Sequence, residues 1–256
     1  MTSHFKYVIL LLLTILFFTS CSTEKQLAYF QRDNLQKDNL TSAKPYVPVI
    51  LAGDILSIYV NSLSPEASSF FNPFKSSTQT PSSSEEQSGT VGYLVDAQGK
   101  IDLPLIGSIK VGGATTSNVR DTLKTLLKPY LKEPTVNVRI LNFKISILGE
   151  VSKPAVYKIS NEVITLPEAL SLAGDLTIYG RRDSIQIIRE IDGKKEFGYV
   201  NLTNTEVFNS PYYYLHSNDL IYIKPSKLKN RQTNQSFQIA GFALSLISIL
   251  VTVLRN

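Results

Sequence analysis

The sequence contains no tryptophan, one cysteine and only two histidines among its 256 residues. A single cysteine excludes an internal disulfide, so the folded parts must be held by hydrophobic burial. Structural zinc sites and Ser-His-Asp triads need more histidine or cysteine than this chain provides. The phosphate-binding motif G-x-x-x-x-G-K-[ST] and the nucleophile motif G-x-S-x-G are both missing. We therefore expect no enzymatic activity, no cofactor and no metal site.

Acidic side chains are the remaining candidates for catalysis. Two carboxylates at a suitable separation hydrolyse a glycosidic bond in many enzymes. We favour the alternative, in which these residues lie in turns and helix caps on a solvated surface. The residues concerned are Asp96, Asp102, Glu150, Glu168 and Asp175. For Asp54 and Asp219, which each precede a predicted strand, we expect side-chain hydrogen bonds that close a turn.

The formal net charge of +5 is modest. A basic cluster lies just before a C-terminal apolar segment, as is typical of charge that flanks a membrane. It does not have the form of a nucleic-acid binding surface, so nucleic acid is not an expected partner. The cluster consists of Lys224, Lys227, Lys229 and Arg231.

Residues 1–20 have the three parts of a secretory signal peptide. Lys6 lies in a short polar start, residues 8–18 are apolar, and Thr19 and Ser20 precede Cys21. The apolar run is too short to cross a bilayer as a helix, which needs roughly 20 residues. The sequence therefore predicts export from the cytoplasm and removal of residues 1–20.

The residues around the predicted cleavage site, Phe18-Thr19-Ser20-Cys21, resemble the lipobox of bacterial lipoproteins, with Phe18 where leucine is usual. The resemblance implies cleavage before Cys21 and acylation of this residue. Several buried acyl chains give stable anchoring in membrane lipid. Ser22, in place of the aspartate that retains lipoproteins in the inner membrane, points to the outer membrane. The alternative is an ordinary signal peptide followed by a chance cysteine.

Composition divides the rest of the chain into segments. The polar stretch after Cys21 reads as a tether, and a Ser-rich stretch at 61–90 reads as a flexible loop. We predict an α+β protein with two small mixed α/β periplasmic domains and a C-terminal transmembrane α-helix. The predicted segments are 21–45 (lipid-anchored tether), 46–142 (first domain), 143–225 (second domain), 226–235 (basic linker) and 236–254 (transmembrane helix).

Local patterns predict the main elements of both domains. Gly99 suits the turn of a hairpin over residues 93–111. Thr116 or Ser117 is the expected cap of an amphipathic helix that continues to Leu131. Thr165 is the expected cap of a short helix over 166–173, closed by Gly174. The predicted strands are 55–60, 136–141, 145–151, 153–159, 184–189, 196–202 and 220–223.

Several motif blocks are specific enough to resemble a known family. Ala52-Gly53-Asp54, the stretch from Asp96 to Pro104 (DAQGKIDLP) and Gly107 resemble the polysaccharide biosynthesis/export domain of Wza-type outer-membrane export lipoproteins. Further blocks resemble the soluble-ligand-binding β-grasp (SLBB) domain that follows it in that family. They are Ile147-Leu148-Gly149-Glu150-Val151, Pro154-Ala155-Val156-Tyr157 and residues 166–174 (LPEALSLAG).

Residues 237–254 contain neither charge nor proline. At 1.5 Å per residue a helix of this length would extend ~27 Å, close to the ~30 Å of a hydrocarbon core. The small or polar residues recur at spacings of three and four, so they form one narrow stripe on such a helix. The resemblance to Wza-type proteins favours a stripe that lines a water-filled pore. The alternatives are a stripe that packs closely against another helix and a chance pattern. The stripe consists of Gln238, Gly241, Ser245, Ser248 and Thr252.

Together, these features predict a lipid-anchored subunit of an oligomeric outer-membrane channel that exports capsular or extracellular polysaccharide. The resemblance implies a ring of identical copies, domains in the periplasm, and an inner-membrane polysaccharide co-polymerase with tyrosine-kinase-like or chain-length functions as partner. The alternative is a membrane-tethered periplasmic module that binds glycan or protein and forms no pore. Tyr212, Tyr213 and Tyr214 are candidates for stacking on sugars, or for a strand edge or subunit contact.

Overall fold

The computed structural model describes residues 27–31, 43, 46–74, 91–191, 193–227 and 229, and six positions of the C-terminal segment. Those six are residues 241, 242, 244, 245, 248 and 252. Buried apolar side chains form two clusters, one within residues 50–138 and one within residues 143–223. We call these parts the first unit and the second unit.

The first unit is built around a small antiparallel sheet. Its elements are β1 (Ile55–Asn61), α1 (Pro65–Ser69), β2 (Tyr93–Leu94), β3 (Lys100–Leu103), β4 (Gly107–Lys110), α2 (Thr116–Leu127) and β5 (Thr135–Ile140). The sheet has the order β2-β1-β5, and β3 and β4 form a separate hairpin. Leu56, Ile58 and Val60 of β1 alternate into the core, as half-buried strands require. The predicted turn residue Gly99 has a φ of 73° just before β3.

Helix α2 differs from its predicted bounds at both ends. Its N-cap is Thr115, whose hydroxyl accepts a hydrogen bond from the Asn118 amide at 3.1 Å. Thr116 is already helical, and its hydroxyl donates to Glu162 of the second unit at 2.9 Å. The helix ends at Leu127, although Leu131 is still buried in the same core. Apolar spacing therefore overestimated the helix, because a buried residue after its end continued the periodic pattern.

The first part of the predicted flexible loop 61–90 is regular structure. Residues 65–69 form α1, and Phe71 is 1% exposed in the core. The side chain of Asn72 accepts a hydrogen bond from the Val60 amide at 2.8 Å and donates to the Val60 and Ser68 carbonyls. It thereby satisfies backbone groups at the end of β1. Residues 75–90 lie outside the described residues.

The second unit is built around a five-stranded mixed sheet. Its elements are β6 (Lys144–Gly149), β7 (Ala155–Lys158), β8 (Ile164–Thr165), α3 (Leu166–Leu172), β9 (Gly180–Ile191), β10 (Lys194–Val200), a 3₁₀ helix (Thr205–Asn209), β11 (Tyr214–Leu215) and β12 (Leu220–Pro225). The sheet has the order β10-β9-β12-β6-β7, and β8 pairs with β11. Only β12 and β6 are parallel within these pairings.

A layer of isoleucines forms the centre of the second core. Ile221 on β12 is paired with Ile147 on β6 and with Ile187 on β9, and each of the three is 0% exposed. Full burial of one such side chain contributes about 1.5–3 kcal/mol. Helix α3 adds buried Leu166 and Leu170 to this core.

The start of α3 confirms the prediction made from its sequence. The Thr165 hydroxyl accepts from the Glu168 amide, and the Glu168 carboxylate accepts from the Thr165 amide at 2.8 Å. This reciprocal capping box satisfies two amides that the first turn leaves without a partner. After the helix, Gly174 has a φ of 73°, as a closing glycine does.

The structure corrects the predicted fold class. Among the described residues between 46 and 225, regular structure is mostly β-strand, and the three α-helices have 5, 12 and 7 residues. No helix among the described residues has both the length and the apolar character needed to cross a membrane. The prediction of an α+β protein with a transmembrane α-helix at 236–254 was therefore wrong. Apolar composition over that stretch is a condition for a spanning helix, but it does not determine the length of continuous helix that forms.

Candidate functional site

The most buried charges of the second unit form one ion pair. Arg189 on β9 donates from Nε and Nη2 to the two carboxylate oxygens of Asp219, at 2.9 and 2.7 Å. The side chains are 7% and 1% exposed. This two-point geometry is the strong form of an arginine–carboxylate contact.

The ion pair also fixes the loop that precedes β12. Asp219 accepts a hydrogen bond from the His216 amide at 2.8 Å, and Arg189 donates to the Tyr214 carbonyl at 3.1 Å. The Arg189 guanidinium lies over the Tyr212 ring, 5.2 Å from the ring centroid. The backbone that carries Tyr214 and His216 is therefore held to the sheet by charged groups.

Beside this loop lies an open cleft of about 440 Å³. We call it the Tyr46 cleft. The Tyr46 ring stacks on the His216 imidazole, with centroids 4.0 Å apart and planes inclined by 17°. Burial lowers the pKa of His216 to about 4, with the neighbouring Arg189 acting in the same direction, so the ring is neutral at pH 7. The cleft is lined by Ala43, Tyr46, Val47, Asn209, Ser210, Pro211, Tyr214 and His216.

The described part of the predicted tether lies against the second unit. The amides of Phe30 and Gln31 donate to the carbonyls of Leu202 and Thr203, at 3.0 and 2.7 Å. The Phe30 ring lies 5.2 Å from that of Phe208. The chain thus contacts the second unit before it enters the first unit.

A buried arginine stabilises this contact. The Tyr29 hydroxyl donates to Asp175 at 2.5 Å, and the Arg182 guanidinium lies 5.1 Å from the centre of the Tyr29 ring. Arg182 is 7% exposed and donates to the Gly180 carbonyl at 3.2 Å. Burial and the hydrogen bond to Asp175 raise the pKa of Tyr29, so its hydroxyl stays protonated at pH 7.

Changing Tyr29 to phenylalanine tests whether this contact holds the N-terminal segment in place. A hydrogen bond to a carboxylate contributes about 1.5 kcal/mol, which corresponds to roughly tenfold in the opening equilibrium. We expect the amides of residues 30 and 31 to exchange roughly tenfold faster with deuterium, since local opening controls their protection. Tyr130→Phe, at an exposed tyrosine of the first unit, serves as the control. Unchanged protection in Tyr29→Phe would show that the hydroxyl contributes nothing to docking.

Lys229, which follows β12, also contacts the second unit. Lys229 forms an ion pair with Glu150, which accepts a further hydrogen bond from the Thr177 hydroxyl at 2.9 Å. The hydrogen bond from Lys229 holds the pKa of Glu150 below its usual range. Residues 27–31 and residue 229 are therefore both attached to this unit.

The predicted lipidation and stripe residues are only partly described. Cys21 and Gln238 lie outside the described residues. Gly241, Ser245, Ser248 and Thr252 are helical and exposed. The Ser245, Ser248 and Thr252 hydroxyls donate to the carbonyls of Phe242, Ser245 and Ser248, at 2.8, 2.8 and 2.7 Å. The hydroxyl hydrogens of these three described residues are thus used within their own helix.

Four of the five acidic residues considered for catalysis have structural contacts, and the fifth, Asp102, is exposed on β3. Asp96 accepts from the Lys100 amide at 2.7 Å in the hairpin turn, and Glu168 caps α3. Glu150 and Asp175 bind Lys229 and Tyr29, as described above. Asp54 accepts from the Leu51 amide at 2.8 Å, and Asp219 from the His216 amide, which confirms the predicted turn-closing bonds.

The roles of Arg189, Arg182, Tyr29 and Tyr46 were not predicted from the sequence. A signal for Arg189 exists: it continues the alternation of Ile185 and Ile187, which face the core. A charge at an inward position of a strand indicates a buried partner. Tyr29 and Tyr46 lie in or beside a stretch whose polar composition resembles that of a tether, so no local pattern indicates their docking.

Comparison with known proteins supplies a functional context. Residues 42–141 match the family model described as polysaccharide biosynthesis/export protein. The chain is 34% identical over 173 residues to the EPS I polysaccharide export outer membrane protein EpsA of Ralstonia solanacearum, covering 63% of this chain and 44% of that protein. It is 36% identical over 102 residues to the protein of the same name from Ralstonia nicotianae, covering 38% of this chain and 27% of that protein. The chain therefore spans less than half the length of the curated relatives it matches.

Proposed function

We propose that this chain, whose residues 42–141 match the polysaccharide biosynthesis/export family and which resembles Wza-type export proteins, is a subunit of an oligomeric channel. The channel would export capsular or extracellular polysaccharide at the outer membrane. The observation that carries the proposal is the match of the first unit to the export family. The names of the two relatives, which specify export and the outer membrane, support it. The matched family is named for export and not for an enzymatic reaction.

The proposed channel is a ring of identical copies that encloses the polymer. The sequence has no phosphate-binding G-x-x-x-x-G-K-[ST] loop, so the energy and direction of transport come from a partner. We propose an inner-membrane polysaccharide co-polymerase, with tyrosine-kinase-like or chain-length functions, in this role.

Acylation of Cys21 would place the second unit next to the membrane. Leu27 lies six positions after Cys21, and a fully extended chain of this length reaches about 20 Å. Because residues 29–31 are docked on the second unit, the lipid would hold that unit within this distance of the bilayer. The first unit would then lie farther from the membrane, where a periplasmic partner reaches it.

For the C-terminal stripe we propose contacts between copies. Its hydroxyls already donate within their own helix, which leaves a face of small side chains without a demand for outside acceptors. Such a face allows another helix to approach closely. Gly241, Ser245, Ser248 and Thr252 would form this contact.

The proposal is tested by complementation of a strain from which the gene is deleted. We expect wild type to restore polymer at the cell surface and to be extracted as an oligomer in native mass spectrometry. The deletion strain should retain polymer in the periplasm. Ser245→Leu combined with Ser248→Leu should lose the oligomer at unchanged protein level, because larger side chains keep the helices apart. Tyr130→Ala is the control and should behave as wild type.

The outcomes separate the possible failures. A strict monomer in the extract, or normal surface polymer in the deletion strain, contradicts the channel. Normal oligomer and normal surface polymer in the leucine variant contradict only the role of the stripe. The second candidate, a tethered glycan- or protein-binding module without a pore, is supported by the Tyr46 cleft and predicts a monomer.

A further inference from the structure

We infer that the Tyr46 cleft is a subsite that binds neutral saccharide units of the exported polymer. The inference rests on the proposed function, because it assigns to one place in the chain a direct contact with the transported substrate. No residue of the cleft belongs to the motif blocks that identify the family.

The cleft combines the two kinds of surface that a sugar ring needs. Tyr46, Tyr214 and Pro211 offer apolar ring surface, against which the C–H face of a sugar packs. Asn209 and Ser210 add an amide and a hydroxyl, which both donate and accept hydrogen bonds. Ser210 Oγ accepts from the Tyr212 amide at 3.2 Å, and among the described residues no acceptor is bound to its hydrogen. The volume of about 440 Å³ lies in the range of small-molecule sites.

The electrostatics of the cleft favour a neutral ligand. None of the described residues that line it is charged at pH 7 once His216 is neutral. Three charged groups act on Tyr46. Arg189 and Asp219 bind each other below the loop, and Asp54 accepts a hydrogen bond from the Leu51 amide. A neutral ligand enters such a cleft without the cost of burying an unpaired charge.

The cleft is also preorganised. The ion pair fixes the Tyr214 carbonyl and the His216 amide, and the His216 ring supports that of Tyr46. The rings of Tyr46 and His216 are therefore positioned before any ligand binds. A site whose side chains are already ordered loses less entropy when it binds.

Photo-crosslinking in exporting cells tests the subsite. The photoreactive residue p-benzoylphenylalanine is placed at Asn209, which is exposed at the cleft, and as a control at Lys195, which is exposed on β10. After irradiation we expect a band that carries both the protein and periodate-stained polysaccharide at position 209, and none at position 195. Crosslinks from 209 only to protein, whether the same chain or another copy, would overturn the inference, and so would the absence of any crosslink.

A binding measurement on the purified chain gives a second test. The probe is a neutral oligosaccharide mixture prepared by partial hydrolysis of the polymer that the same strain exports. Loss of one stacked aromatic residue removes about 1–1.5 kcal/mol, so Tyr46→Ala should weaken binding roughly tenfold in saturation-transfer NMR. Tyr130→Ala is the control. Equal binding by both variants, or no binding by wild type, overturns the subsite. If export depends on the chain in the deletion strain, such a result leaves the proposed function intact.

Discussion

Replacing Asp219 with alanine is expected to lower the free energy of unfolding of the second unit by about 3–5 kcal/mol. The substitution leaves the Arg189 guanidinium buried without its counter-charge, since the pair is 7% and 1% exposed. It also removes the acceptor of the His216 amide. Denaturant unfolding followed by circular dichroism measures the change.

Two control variants give this prediction a sharp comparison. Asp183→Ala breaks the Arg181–Asp183 pair, whose side chains are 44% and 54% exposed, and should cost at most about 1 kcal/mol. Replacement of both buried partners, Arg189→Met with Asp219→Leu, should recover much of the stability, because no charge remains unpaired. A loss below about 1 kcal/mol in Asp219→Ala would mean that water reaches Arg189 and that the pair does not fix the loop.

The second large effect is expected at Gly149, which lies in the Ile147–Val151 block. Its φ is 96°, and an added Cβ would lie 2.1 Å from the Ile223 carbonyl oxygen of the neighbouring strand β12. Because backbone cannot rotate away as a flexible side chain does, Gly149→Ala must separate β6 from β12 locally. We expect a loss of about 3 kcal/mol or more in the free energy of unfolding.

Gly193→Ala is the matched control for Gly149→Ala. Gly193 also has a positive φ, of 73°, but a Cβ there meets nothing within 4 Å. Its replacement should therefore cost only the conformational penalty, about 1 kcal/mol. Chemical unfolding of both variants separates the free-energy cost of a positive φ from the cost of the contact between the added Cβ and the Ile223 carbonyl. Equal losses in the two would show that close packing against β12 has no additional effect.

The Gly149 comparison also gives a physical reason for one motif of the sequence. The glycine lets the end of β6 approach the Ile223 carbonyl, which then accepts the Glu150 amide at 3.0 Å. Glu150 in turn forms an ion pair with Lys229, which follows β12. The motif therefore has a structural role in joining two parallel strands and holding the segment that follows them.

Local chemistry determined much of the fold. The alternation of Leu56, Ile58 and Val60 places a strand with one buried face, and Thr165 with Glu168 specifies the start of α3. Asp54 and Asp219 close turns through bonds to residues three positions away. Such features depend on neighbours within a few residues, which the sequence displays directly. The motif blocks were likewise sufficient to indicate the export family.

Only the tertiary structure decided how distant segments meet. Three contacts join residues 30 or more positions apart in the printed sequence. They are the pairing of Arg189 with Asp219, the docking of Tyr29 on Asp175 and Arg182, and the stacking of Tyr46 on His216. The structure also contradicted the predicted C-terminal transmembrane helix, which had been inferred from the apolar composition and length of that segment. Composition and periodicity report what a segment is able to bury, whereas the partner that buries it is selected by the packing of the whole chain.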